Sequence, residues 1–277
     1  KVLLIDGHSL FHRAFHALPP LSTSDGRPTN AVYGFLQMAL LLLEQEQPDY
    51  AVVAFDGPGP TFRDEMYDQY KAHRPPMDDA LVSQLPLLER AVEGLGLAAV
   101  QVEGYEADDI IGTVTRQAEE AGDEVVIVTG DKDLLQLVGP AVEVLATVRG
   151  ISETKRYDEA TVREEYDLAP EQIVDLKALA GDSSDNIPGV PGIGDKTAHT
   201  ILAQFDSVEE ALDGVEAIEP KRVAEKLREH AESARLSKDL ATIRTDAPVE
   251  ASLEEFGWEG LRGDQLRELV TDLEFTS

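Results

Sequence analysis

The chain has 277 residues, 42% of them hydrophobic, enough for one large domain or two moderate ones with a sizeable core. Its longest apolar run, Met38 to Leu43, falls far short of the roughly 20 residues a membrane-spanning helix needs, and no signal-peptide pattern opens the sequence. There is no Cys, which excludes disulfides and zinc–thiolate sites, and 54 acidic against 24 basic residues give a net charge of −30 that by itself argues against a phosphate-rich partner.

An intracellular protein is the expectation, cytoplasmic and without membrane association. Lys1 in place of Met, directly at a strand, is what a fragment of a longer chain would show. Most of the acidity reads as a solvated surface adapted to a salty cytosol, and a smaller part as belonging to a site.

In chain order, Lys1 to Asp6 is a continuous apolar run ending at an acid, the mark of a buried parallel strand. An amphipathic helix is predicted from about Ala31 to Gln45, and a second strand from Ala51 to Asp56, again ending at an acid. Residues 57 to 78 read as irregular, with a helix following from about Ala80 to Glu93. Leu97 to Val102 is the third strand, and Glu106 opens a helix to about Ala121. Glu124 to Thr129 is the fourth strand and Val142 to Ala146 the fifth. This alternation predicts an α/β domain, residues 1–158, with a mainly parallel central sheet flanked by helices. Residues 159–277 read as a helical region, with a glycine-rich hairpin and a last amphipathic helix in the tail.

Nine acids fall in five clusters: Asp6; Asp56; Glu106, Asp108 and Asp109; Asp131 and Asp133; Asp182 and Asp185. Several stand at or just after predicted strand ends, where open α/β sheets bind ligands. Carboxylates gathered in one place repel one another unless cations sit between them. Hard oxygen donors without Cys or clustered His point to Mg²⁺ or Mn²⁺, two or more ions, acting on phosphate esters. Each acid alone also serves as a helix cap or turn residue; the combination carries the argument.

Gly189, Gly192 and Gly194, followed by Lys196 and Thr197, form a helix–hairpin–helix pattern at about 182–205. Glycines permit the tight turn, and the helix after Gly194 offers free amides to a phosphate, so the motif implies sequence-independent nucleic-acid binding. Arg63, Tyr70, Lys71 and Arg74 make a basic and aromatic patch in an acidic chain, suited to stacking a base on Tyr70 and holding a phosphate. Arg13 lies within reach of a phosphate near Asp6. His8 and His12 read as structural.

With these motifs in view, the chain resembles the 5′-nuclease (flap endonuclease) domain at the amino end of bacterial DNA polymerase I. The resemblance rests on Leu4 to Leu10, Phe62-Arg63, Tyr70 to Pro76, Glu106 to Gly112, Thr129 to Leu134, Gly181 to Gly189 and Leu240 to Asp246. It implies a PIN-like nuclease fold and a first metal group of Asp6, Asp56, Glu106 and Asp108. A second group would be Asp131, Asp133 and Asp185, with Asp109 and Asp182 in support. Arg13, Lys71 and Arg74 would contact the scissile phosphate, Tyr70 would stack near it, and residues 65–90 would form a helical arch. The hairpin would bind duplex backbone, in the family with K⁺. The implied substrates are branched DNA with a 5′ flap and RNA–DNA primers. The implied setting is a monomer near the nucleoid, either fused to a polymerase or free-standing. A non-catalytic DNA-binding module and a small-molecule phosphatase are the rival readings.

Overall fold

The computed structural model describes residues 1–275. β1 (Val2–Asp6) runs straight into α1 (Gly7–Ala17), a helix the sequence reading did not anticipate. Its apolar positions Leu10, Phe11 and Ala14 share one face and are buried. No spacer separates strand from helix, because Asp6 ends the strand and also caps the helix, accepting from the Ser9 amide. Gly7 is required at the junction, since a Cβ there would lie 2.4 Å from the Phe55 ring.

The chain continues through α2 (Asn30–Glu46), β2 (Tyr50–Phe55), α3 (Phe62–Met66), α4 (Asp79–Val82), α5 (Leu85–Gly94), β3 (Ala98–Gln101), α6 (Ala107–Ala121), β4 (Val125–Thr129), β5 (Val142–Arg149) and β6 (Glu153–Tyr157). The strands pair in the order β3-β2-β1-β4-β5-β6, parallel throughout except that β6 returns antiparallel on β5. Strand side chains alternate faces. Leu3, Ile5, Val53 and Val128 therefore pack with α1, α2 and α5, while Val2, Leu4, Val52 and Ile127 pack with α6. Strand order reverses between β1 and β4, and ligands bind at the carboxyl ends of strands beside such a switch point.

The single helix expected over 80–93 is two helices. Gln84, fully buried, sits between α4 and α5 and turns back to cap α2, accepting from the amides of Ala31 and Val32. Residues 65–90, expected as an arch, hold the end of α3, turns through Lys71, α4 and the first part of α5, which packs into the core through Leu88. β6 was also not anticipated, because Glu153 to Arg156 are exposed and polar and carry no apolar alternation.

From Tyr157 onward the chain is helical: α7 (Glu159–Tyr166), α8 (Gln172–Ala180), α9 (Asp195–Leu202), α10 (Val208–Asp213), α11 (Lys221–Glu229), α12 (Ala231–Ala241) and α13 (Gly263–Asp272). The helical region has its own core, built on Leu179, Val190, Ile193, Ile201 and Leu227. Between α8 and α9 the hairpin is closed by reciprocal amide–carbonyl bonds of Asp182 and Ile187, at 2.9 and 2.8 Å. Gly189 has φ +61°, and a Cβ there would come within 2.3 Å of the Gly181 nitrogen. α12 secures this turn, where Ser237 Oγ accepts from the Gly189 amide and Ser233 Oγ donates to its carbonyl.

Arg63 ties the two regions together. Its side chain is 3% exposed. The guanidinium donates to both Asp109 oxygens at 2.7 and 2.9 Å and to the Leu240 and Thr242 carbonyls. The sequence reading assigned Arg63 to DNA; the structure corrects this, since no donor edge reaches the surface. A buried charge that loses its partner is costly. Arg63→Ala is expected to lower stability by about 3–5 kcal/mol in urea unfolding. Adding Asp109→Ala should recover part of that loss, since it removes the stranded carboxylate.

Candidate functional site

Four acids line one cavity of about 440 Å³ at the switch point: Asp6, Asp56, Asp108 and Asp131. Asp6 ends β1, and its second oxygen accepts from the Thr129 hydroxyl at 2.8 Å, which braces it against β4. Asp56 follows β2; one oxygen accepts from the Ala107 amide at 2.9 Å and the other faces His8 Nδ1 at 3.2 Å. Asp108 lies in the first turn of α6, which points it at the strand ends. Asp131 follows β4 and holds its turn by accepting from the Asp133 amide at 2.9 Å.

Burial, and crowding after it, show in the acidity of these groups. Burial pushes Asp6 up to about 6, with repulsion from Asp56 and Asp131 adding to it against the Ser9 and Thr129 hydrogen bonds. Burial, then repulsion from Asp131, Asp6 and Glu106, lifts Asp108 well above the carboxylate range. Asp133 rises to about 7 through burial and repulsion from Asp131. Asp56 goes the other way, to about 2, because His8 and the Ala107 amide outweigh its desolvation.

A second group of acids faces the turn at 67–74. Glu106 and Asp185 are buried. The Lys71 ammonium sits 2.6 Å from Glu106 and 3.7 Å from Asp185, and Arg74 reaches Asp185 at 2.5 Å. Lys71 takes a left-handed backbone, φ +52°, and its amide donates to the Asp185 carbonyl at 2.9 Å. Backbone and side chain thus pin the turn to the acids. Lys71 and Arg74 also line the carboxylate cavity.

Several expected roles are corrected. Tyr70 is 5% exposed, with its hydroxyl within hydrogen-bond distance of Glu106 and Asp185 and the Lys71 ammonium over its ring. No ring face is open for a base. Asp109 is fully buried, and its oxygens are taken by Arg63 and by the Glu106 and Arg244 amides, so it is a structural anchor and no metal ligand. Arg13 lies outside the cavity and donates to the Gly150 carbonyl at 3.1 Å. His8 and His12, read as structural, line the cavity. Their spacing of four residues was the available signal, hidden because α1 was not recognised. Lys177 was missed altogether: it bonds both Asp133 and Asp182, and Asp182 also accepts from Ser184.

The hairpin meets this site at its start, through Asp182 and Asp185. Gly194 caps α9, with Lys196 and Thr197 in the first turn. Gly192 is exposed with φ +78°, and Lys226 donates to its carbonyl at 3.2 Å.

Among the described residues, no three Asp, Glu, His or Cys side chains converge as they stand on one cation position. The donor set nevertheless fits a hard divalent ion. Four carboxylates share one cavity wall, and Asp6 and Asp108 are pushed toward protonation first by burial and then by neighbouring carboxylates. The neighbouring acids have drawn in ammonium and guanidinium groups instead.

Among the described residues no helix is long and apolar enough to cross a membrane. The profile of the 5′-3′ exonuclease N-terminal resolvase-like domain matches residues 1–167, and that of the 5′-3′ exonuclease C-terminal SAM fold matches residues 168–264. DNA polymerase I of Bacillus caldotenax is 48% identical over 277 residues, covering 100% of this chain and 32% of that protein. The thermostable DNA polymerase I of Thermus thermophilus is 44% identical with the same coverage. This chain thus spans about a third of the length of the curated relatives it matches. Among solved structures, T5 5′-exonuclease with bound divalent metal ions (zinc) superposes with a TM-score of 0.74 at 22% identity, covering 99% of this chain and 98% of that one. The catalytic core of Rad2 in complex with DNA substrate gives 0.61 at 16% identity, over 99% and 87%. Likeness at such identities shows the shared fold, an α/β sheet with a helical second part. By both profiles and over nearly its whole length, the chain belongs to the 5′-3′ exonuclease family.

Proposed function

We propose that this chain is a divalent-metal-dependent 5′-3′ exonuclease and flap endonuclease, and that it serves as the nuclease part of a polymerase like its relatives. The observation that carries the reading is one cavity with four carboxylates on its wall and two cations, Lys71 and Arg74, at the same wall. Mg²⁺ or Mn²⁺ held by Asp6, Asp56, Asp108 and Asp131 would supply water activation near neutral pH and neutralise charge on the reacting phosphate. Asp133 and Asp185 would serve a second ion once freed from their lysine and arginine partners.

The chain's own residues do the rest. Lys71 and Arg74 exchange Glu106 and Asp185 for the scissile phosphate and stabilise its developing charge. His8 holds the Asp56 carboxylate in place. The hairpin amides after Gly194, with Lys196, grip duplex backbone without reading sequence. A K⁺ ion held by backbone carbonyls of the hairpin would add positive charge toward the duplex phosphates. Water adds to phosphorus and the 3′ oxygen leaves, giving a 5′-phosphate fragment and a 3′-hydroxyl end. The substrates would be 5′-flap DNA and RNA–DNA primers, handled by a monomer in the cytoplasm at the nucleoid. A small-molecule phosphatase has no use for the hairpin, and a pure binding module has none for four acids on one cavity.

A 5′-labelled double-flap DNA should be cut at the flap junction with Mg²⁺ or Mn²⁺ and left intact in EDTA, while p-nitrophenyl phosphate is not hydrolysed. With a surface of net charge −30, cutting should persist or rise into molar KCl, where screening weakens repulsion between surface and DNA. A steady fall from low salt would remove the salt-adapted reading of the surface. Lys71→Ala is expected to slow single-turnover cleavage about a hundredfold to a thousandfold. Because the side chain is largely enclosed against Glu106, the same variant should also lose about 1–3 kcal/mol of stability. An unchanged single-turnover rate would exclude Lys71 from the reaction.

A further inference from the structure

Lys177 sits in the apolar run of α8, among Ile173, Val174, Ala178 and Leu179. Its side chain is 17% exposed and its ammonium is shared between Asp133 and Asp182, themselves 16% and 13% exposed. The two acids come from different parts of the chain: Asp133 follows β4 at the strand ends, and Asp182 opens the hairpin. The backbone of Lys177 takes part as well, since its carbonyl accepts from the Gly181 amide at 2.8 Å. One residue therefore fixes the start of the hairpin and one edge of the acid group. Lys177 does not line the carboxylate cavity, so it is not placed to touch a phosphate there. A lysine is rarely enclosed unless it is paired, and here both of its partners are acids beside the proposed metal group.

We propose that Lys177 is a positioning residue that acts as the resident counter-charge of the outer acids, holding Asp133 and Asp182 together and setting how readily a further divalent ion binds there. The proposal rests on the nuclease reading above and deepens it. The ammonium supplies part of the charge that an ion would otherwise supply, so ion and lysine compete for the same oxygens. It also joins ion binding to the geometry of the hairpin, because displacing the ammonium loosens the bridge between β4 and α8.

The test is Mn²⁺ binding to the full chain without DNA, followed through the free-ion electron paramagnetic resonance signal, in wild type, Lys177→Met and Lys177→Arg. Removing the enclosed cation should let the Met variant bind one more ion, or bind its weakest ion at least about tenfold tighter. Lys177→Arg, which keeps the charge, should match wild type. The Met variant should melt below wild type in ion-free buffer and recover with Mn²⁺. A merely structural lysine would lower the melting temperature without changing ion number or affinity, and that result, or weaker binding, overturns the proposal. If Lys177→Met does not fold, Lys177→Gln takes its place under the same criteria. Failure of both to fold even with Mn²⁺ also overturns it. Wild type binding no Mn²⁺ at all would count against the nuclease reading itself.

Discussion

Mutual repulsion among carboxylates is the constraint on which the rest of this structure depends. The sheet brings Asp6, Asp56, Asp108 and Asp131 to one cavity, and their neighbours Glu106, Asp133, Asp182 and Asp185 lie close behind. Uncompensated, that density of negative charge would oppose folding. The chain answers with cations of its own. Arg63 neutralises Asp109, Lys71 and Arg74 hold Glu106 and Asp185, and Lys177 holds Asp133 and Asp182. The cavity acids themselves receive only partial relief, from His8, hydroxyls and amides, and there the carboxyls of Asp6 and Asp108 are pushed upward.

These ion pairs also organise the molecule in space. Arg63 binds the carbonyls at the end of α12 to the first turn of α6. Lys71 and Arg74 fasten the 67–74 turn to Asp185, which lies in the hairpin. Lys177 joins α8 to the turn after β4. The helical part and the sheet are thus connected through the charges of the site, and a ligand that rearranges those charges acts on the hairpin as well. Site and hairpin form one electrostatic unit.

Much of this was legible in the sequence. Continuous apolar runs ending at Asp6 and Asp56 marked parallel strands, because strands buried on both faces need no polar alternation. The glycines at 189, 192 and 194 marked the hairpin, since left-handed backbone at the first two leaves little choice of residue. Other features were hidden for physical reasons. α1 starts without a spacer, as Asp6 serves strand and helix at once. β6 is an exposed edge strand whose pairing rests on backbone bonds, so its side chains carry no pattern. Whether an acid or a base faces ligand or protein is a tertiary property: Asp109 and Asp108 are adjacent in sequence, yet one is locked on Arg63 and the other lines the cavity. Tyr70 and Arg63 looked like nucleic-acid contacts by type, and enclosure makes them part of the frame.

The central claim is that the switch-point cavity is a divalent-metal site whose neighbouring acids are balanced by the chain's own cations. It is tested most directly by anomalous diffraction from crystals soaked in Mn²⁺. The account predicts an anomalous peak in contact with Asp6, Asp108 and Asp131, with rearrangement among the lysine and arginine partners of the neighbouring acids. Saturating Mn²⁺ with no peak in that cavity, and Lys71 and Arg74 still held on Glu106 and Asp185, would contradict it.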